Sequence, residues 1–174
     1  SRLRLSVSEV SVLPLLMIFA CLTDLMTLKI PNRVPILLVI TFCALASVLE
    51  ISWRDFGLHV ACGFAFLSFA FTLFSMGVLG GGDGKLGAAV AMWFGFPLLL
   101  EFAISVSLIG GLLAAALVIF RRFPLPEALL KIKWVVQLHD QGGPVPYGIA
   151  IGFSGLLLYP QSLIWFSYMQ SGIR

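Results

Sequence analysis

The sequence predicts an all-α polytopic membrane protein, a bundle of six transmembrane helices built from residues 1–174 as a single domain. Three observations lead there. Hydrophobic residues make up 60% of the chain and charged ones 11%, with a mean hydropathy of +1.05, far above that of a soluble domain. Several apolar runs reach or approach the ~20 residues a helix needs to cross a bilayer. The net charge of +3 is spread thinly over such a chain, which suits orientation by loop lysines and arginines and argues against nucleic-acid binding.

The first span is read at 8–26. It follows Arg2 and Arg4 in the manner of a signal peptide, but no clean small-residue cleavage site comes after it, so it is taken as a retained helix. The sequence opens at Ser1, without an initiator methionine. The next spans are read at 34–49, 57–79, 86–100, 102–120 and 147–168. Splitting the fourth from the fifth rests on length. From Leu86 to Phe120 the only charged residue is Glu101, with Pro97 shortly before it. One helix over this stretch would be roughly 50 Å long, well beyond a ~30 Å hydrocarbon core, so a tight hairpin is expected near Pro97–Glu101.

Parity then assigns faces. The loops at 27–33, 80–85 and 121–146 share one side and hold Lys29, Arg33, Lys85, Arg121, Arg122, Lys131 and Lys133. The other side has Arg2, Arg4, Arg54 and Arg174. This bias places the first group in the cytoplasm and both termini outside. In the long loop 121–146, Leu129, Ile132, Trp134 and Val136 interleave with Lys131 and Lys133, as in a helix lying on anionic lipid; an ordinary solvated loop fits as well. His139 has no metal-ligand partner at a suitable spacing and is read as a loop residue. Glu50, Asp55 and Glu101 fall in outer turns and are read as solvated. Cys21, Cys43 and Cys62 form no C-x-x-C pair and are read as small core residues. No metal and no cofactor is expected.

The stretch "LGGGDGKLG", Leu79 to Gly87, looks like a phosphate loop but fails that pattern. Walker A needs G-x-x-x-x-G-K and then Ser or Thr, whereas Leu79 stands five positions before Gly84 and Leu86 follows Lys85. Asp83 in this stretch and Asp24 in "ACLTDLMTLKIPN" lie at the cytoplasmic ends of the third and first spans, hence at similar depth. Acidic groups at membrane depth are costly and are usually functional or paired. The plainer alternative is two interfacial loop carboxylates near Lys29 and Lys85. Gly80, Gly81, Gly82 and Gly84 remove side-chain bulk and let a backbone approach closely, which suits an extended peptide more than a bare proton. Two adjacent carboxylates cannot easily both ionise. The ionised one can then take a proton from water while the protonated one polarises a scissile carbonyl. That is aspartic-peptidase chemistry.

The core "GGGDGK" resembles the GxGD aspartic peptidases of membranes. Asp24 six residues before "IPN" (Ile30, Pro31, Asn32) and "PVPYGIAIG" (Pro144 to Gly152) resemble the prepilin peptidases in particular. The resemblance runs over essentially the whole chain and implies that Asp24 and Asp83 are the catalytic pair. It implies removal of the short basic leader from type IV prepilins and pseudopilins at the cytoplasmic face of the bacterial inner membrane. The larger bifunctional members carry a cytoplasmic domain with cysteine pairs and also methylate the new N-terminus. Lacking both features, this chain resembles the short, peptidase-only TadV/CpaA type of tight-adherence (Flp) pili, with archaeal preflagellin peptidases as neighbours.

Around the pair, Pro31 and Asn32 are expected to stop the first helix. Lys85 either favours ionised Asp83 or is simply an interfacial lysine. By resemblance, Pro146, Tyr147 and Gly148 line the substrate groove; alternatively Gly148 and Gly152, a G-x-x-x-G pair, allow close helix packing. A proton-coupled transporter using the two aspartates as a relay is the competing function, weakened because the second half has no acidic counterpart of Asp24 within a span. A non-catalytic assembly subunit would leave the three motifs unexplained. The pilin substrates aside, the lipid bilayer is the expected partner, and the oligomeric state is left open.

Overall fold

The computed structural model describes residues 10–172. Arg2, Arg4, Arg174 and the first residues of the expected 8–26 span lie outside them. The described residues are helical with no strand: α1 (Val12–Thr27), α2 (Arg33–Val48), α3 (Trp53–Ser75), α4 (Gly81–Phe120), α5 (Glu127–Leu130), α6 (Lys133–His139), α7 (Tyr147–Leu158) and α8 (Leu163–Gly172), the last two joined by a 3-10 turn at Tyr159–Gln161. Three stretches are long and apolar enough to cross a membrane: Trp53–Ser75, Gly81–Phe120 and Tyr147–Gln170. Helices α1 and α2 are apolar but have 16 residues each, about 24 Å of rise. Leu15, Phe64, Phe69, Leu108 and Leu112 turn outward, each more than half exposed. Such a surface is untenable in water and natural against acyl chains. The chain is a membrane protein.

Helix α4 is two arms, not one rod. Gly95 has φ +67° and ψ −179°, a conformation essentially reserved for glycine. A Cβ at Gly87 would strike the Phe66 ring, and that same ring lies 5.6 Å from the ring of Phe102. A straight helix would hold residues 87 and 102 about 22 Å apart. The chain therefore doubles back at Gly95, ahead of the Pro97–Glu101 stretch where the hairpin was expected. Pro97 falls in the first turn of the second arm, where its missing N–H would have no partner anyway. The Met92 carbonyl, freed by the break, accepts from His59 Nδ1 at 2.7 Å. A methyl group at Gly95 would sit 2.9 Å from His59 Cε1. Gly95→Ala should lower stability by about 1–3 kcal/mol, measured as an earlier thermal unfolding transition in detergent; an unchanged transition would mean the reversal is not held this way.

Packing follows membrane rules, with small residues letting helices approach. The first arm of α4 lies along α3: Gly84 meets Ala70, and Gly63 meets Met92 and the Ala88 carbonyl. Trp93, fully buried, tilts against Phe42 and donates Nε1–H to the Leu38 carbonyl at 2.9 Å, fastening α2 to α4. Helix α7 lies against α1 and both arms of α4. Gly152 rests on Cys21 and the Met17 carbonyl, Gly155 on Met17, and Tyr147 and Ala150 on Gly110. Tyr159 donates its hydroxyl to the Val10 carbonyl at the far end.

Several boundaries differ from expectation. The third helix ends at Ser75 rather than 79, and Gly81–Lys85, expected as loop, is the first turn of α4. The expected 147–168 span is broken by the turn at Tyr159–Gln161, where Pro160 supplies no N–H. Segment 121–146 holds two short helices, α5 and α6. Val135 is buried, and His139 Nε2 lies 2.8 Å from the Phe123 carbonyl, so His139 is a tie within the loop.

Candidate active site

Asp24 stands in the last turn of α1. Its backbone carbonyl accepts the Leu28 N–H at 2.8 Å, and Leu28 ends the helix in a left-handed conformation (φ 52°). The helix thus stops three residues before Pro31, which was expected to stop it. Asp83 is the third residue of α4, after Gly80 at the N-cap. At that position a carboxylate can reach back to the N-cap amide, and it lies where the helix dipole favours negative charge. Gly80 lies directly against the Asp83 carboxylate.

The first turn of α7 completes the arrangement. Helix N-termini present amides without intrahelical partners. Gly148, in that first turn, lies directly against the Asp24 carboxylate. Both carboxylates are buried, 3% and 8% exposed. Asp24 Oδ2 is buried without a hydrogen-bond partner. A Cβ at Gly148 would stand 2.6 Å from that oxygen, and one at Gly80 2.6 Å from Asp83 Oδ2. Neither position leaves room for a side chain.

A cavity of ≈ 820 Å³ opens here, lined by both carboxylates and by 28–30, Asn32, 77–82 and 142–147. Its walls Val78, Leu79 and Tyr147 also line a second cavity of ≈ 520 Å³, almost wholly apolar, between α3, the second arm of α4 and α7. Of the residues singled out in the sequence, Asp24, Asp83, Gly80, Gly82, Pro146 and Tyr147 line the site, and Gly148 abuts Asp24. Gly84 faces Ala70 and serves packing. Lys85 is exposed and donates to Asn32 Oδ1 at 3.3 Å, with no ion pair to Asp83 among the described residues. The G-x-x-x-G pair divides: Gly148 touches the carboxylate, Gly152 packs. Ile30, whose Cδ1 would meet a Cβ at Gly148, closes the site from the α1–α2 turn; its place in the "IPN" motif was the signal for it.

Fold and site together define a helical membrane protein with two buried carboxylates in the wall of one cavity, an arrangement able to hold and move protons. Residues 11–115 match the type IV leader peptidase family, and the chain belongs to it. It is a peptidase whose family acts on prepilin leaders. The matched segment contains both aspartates and ends before the 142–148 wall. No curated protein and no solved structure matches the chain.

Proposed function

We propose that Asp24 and Asp83 are the catalytic pair of an aspartic endopeptidase that removes the basic leader from Flp-type prepilins and pseudopilins at the cytoplasmic face of the bacterial inner membrane. The observation that carries this reading is the burial of both carboxylates in the wall of one cavity, with Gly148 packed against Asp24. An unpartnered, buried Asp24 Oδ2 beside a second carboxylate is where a shared proton belongs. The ionised carboxylate takes a proton from water as the water oxygen bonds the scissile carbonyl carbon, and the protonated one passes its proton to the carbonyl oxygen. On collapse the C–N bond breaks, the leaving amine takes the proton first drawn from water, and the diol returns the other. Neither a metal nor a nucleophilic side chain is required.

Gly80, Gly82 and Gly148 shape the site by leaving space for the carboxylates and a peptide backbone. Pro146 and Tyr147 form a wall, and Lys85 with Asn32 a polar rim. The adjoining apolar cavity suits a substrate with an apolar stretch beside the cleaved bond. Co-expression with candidate Flp prepilins tests all of this at once. The product's N-terminal mass should show the leader gone and no added methyl group with S-adenosylmethionine present, whereas an intact leader on every candidate would refute the assignment.

Residues 10–172 are read as one domain with six crossings, the two arms of α4 counting separately. The basic residues of 27–33, 80–85 and 121–146 support a cytoplasmic site. Arg33 and Arg122 are both exposed. In a background with Cys21, Cys43 and Cys62 replaced by alanine, Arg33→Cys and Arg122→Cys should react with impermeant thiol reagents only after the membrane is opened. Labelling of either in intact spheroplasts would reverse the orientation.

A further inference from the structure

We infer that Arg121 is a positioning residue for the carboxylate pair, acting through the backbone that leads into α7. It caps the second arm of α4, at the end of the bundle that holds the site. Its Nε donates to the Leu138 carbonyl at 3.0 Å and its Nη2 to the Pro144 carbonyl at 3.3 Å. These two acceptors bracket the turn in which Gly143 N–H meets the Asp140 carbonyl at 3.0 Å. Beyond that turn, 142–147 is cavity wall, Pro146 is the N-cap of α7, and Gly148 lies against the Asp24 carboxylate.

This stretch needs an external tie. Pro144 and Pro146 have no N–H, and the remaining bonds of 144–146 are the local ones from Tyr147 to Val145 and from Ile149 to Pro146. Among the described residues, Arg121 alone reaches it with a side-chain donor, and Arg121 itself faces no carboxylate. A charged donor is roughly twice as strong as a neutral one. The guanidinium's fork also holds two carbonyls in one geometry, which a single ammonium cannot do. Releasing it lets Gly148 drift from its place against Asp24, in the wall that both carboxylates share.

The inference rests on the peptidase reading only for its kinetic arm. The full chain in detergent is compared with Arg121→Met, which keeps length without donors, and Arg121→Lys. Hydrogen exchange without substrate should be about tenfold faster across 142–149 in Arg121→Met and unchanged in α3, as expected for a local opening. Prepilin cleavage should lose about 10- to 100-fold in kcat, the scale of an ångström-sized misplacement. Arg121→Lys should recover part of both, with thermal unfolding unmoved. Unchanged exchange, an unchanged kcat, a loss that merely tracks lowered thermal stability, or Lys no better than Met would each overturn the role. If exchange rises as expected while the wild type cleaves no prepilin, the clamp stands and the peptidase reading falls.

Discussion

Asp24→Asn and Asp83→Asn should each reduce prepilin cleavage by about 10²- to 10⁴-fold or beyond detection, the range that a positioned acid or base contributes. The substitution keeps size and most hydrogen bonding while removing the titrating group, so chemistry changes more than packing. Both side chains are buried; replacing a carboxylate by an amide there strands no charge, and insertion and detergent-soluble yield should remain near wild type. The double variant should be no worse than either single one, because the pair works as a unit and losing half already disables it. Asp140 is the control. It is exposed, and its Oδ1 accepts the Gly142 N–H at 3.3 Å, which the asparagine oxygen can also do. A normal maturation rate in either single variant would remove the carboxylate pair from the mechanism and bring forward the proton-relay reading.

The second large effect is steric. Gly148→Ala would put a Cβ 2.6 Å from Asp24 Oδ2 and 2.7 Å from Ile30 Cδ1. The flexible end of Ile30 can move aside, but the carboxylate can yield only by leaving its buried place in the cavity wall it shares with Asp83. An activity loss of about 100-fold is expected for such a displacement, with thermal unfolding close to wild type. Gly152→Ala, one turn on, meets Cys21 and a Met17 carbonyl oxygen 3.0 Å away. Because backbone cannot step aside, it should destabilise the α1–α7 contact instead. Gly111, with nothing within 4 Å of its Cβ position, should accept alanine. Measuring kcat and thermal unfolding together separates the three cases. Near-wild-type cleavage by Gly148→Ala would show that the site tolerates a side chain against Asp24.

What the sequence by itself determined was the medium, the helical class, and the shared end of Asp24 and Asp83. Apolar runs admit only helices or closed barrels in lipid, and an even number of crossings returns a chain to its starting face. Residues 80–83 also read locally: small residues beside one carboxylate leave space, whatever surrounds them. Tertiary structure decided the rest. Proline fits a hairpin turn and a helix's first turn equally well, so only the contact with His59 and Met92 sets the reversal at Gly95 instead of beyond Pro97. The "IPN" motif looked like the end of α1, but the left-handed Leu28 ends it earlier and frees Ile30 to close the site. Gly148 and Gly152 share one motif and one helix face, yet only the register of α7 on α1 gives one to the carboxylate and the other to Cys21. Lys85, adjacent in sequence to the second aspartate, turns to Asn32, while Arg121, 38 positions along from Asp83, ties the wall beside it. Local propensity and hydrophobic period act over one or two helical turns. These contacts join residues tens of positions apart, and only the packing of whole helices brings them together.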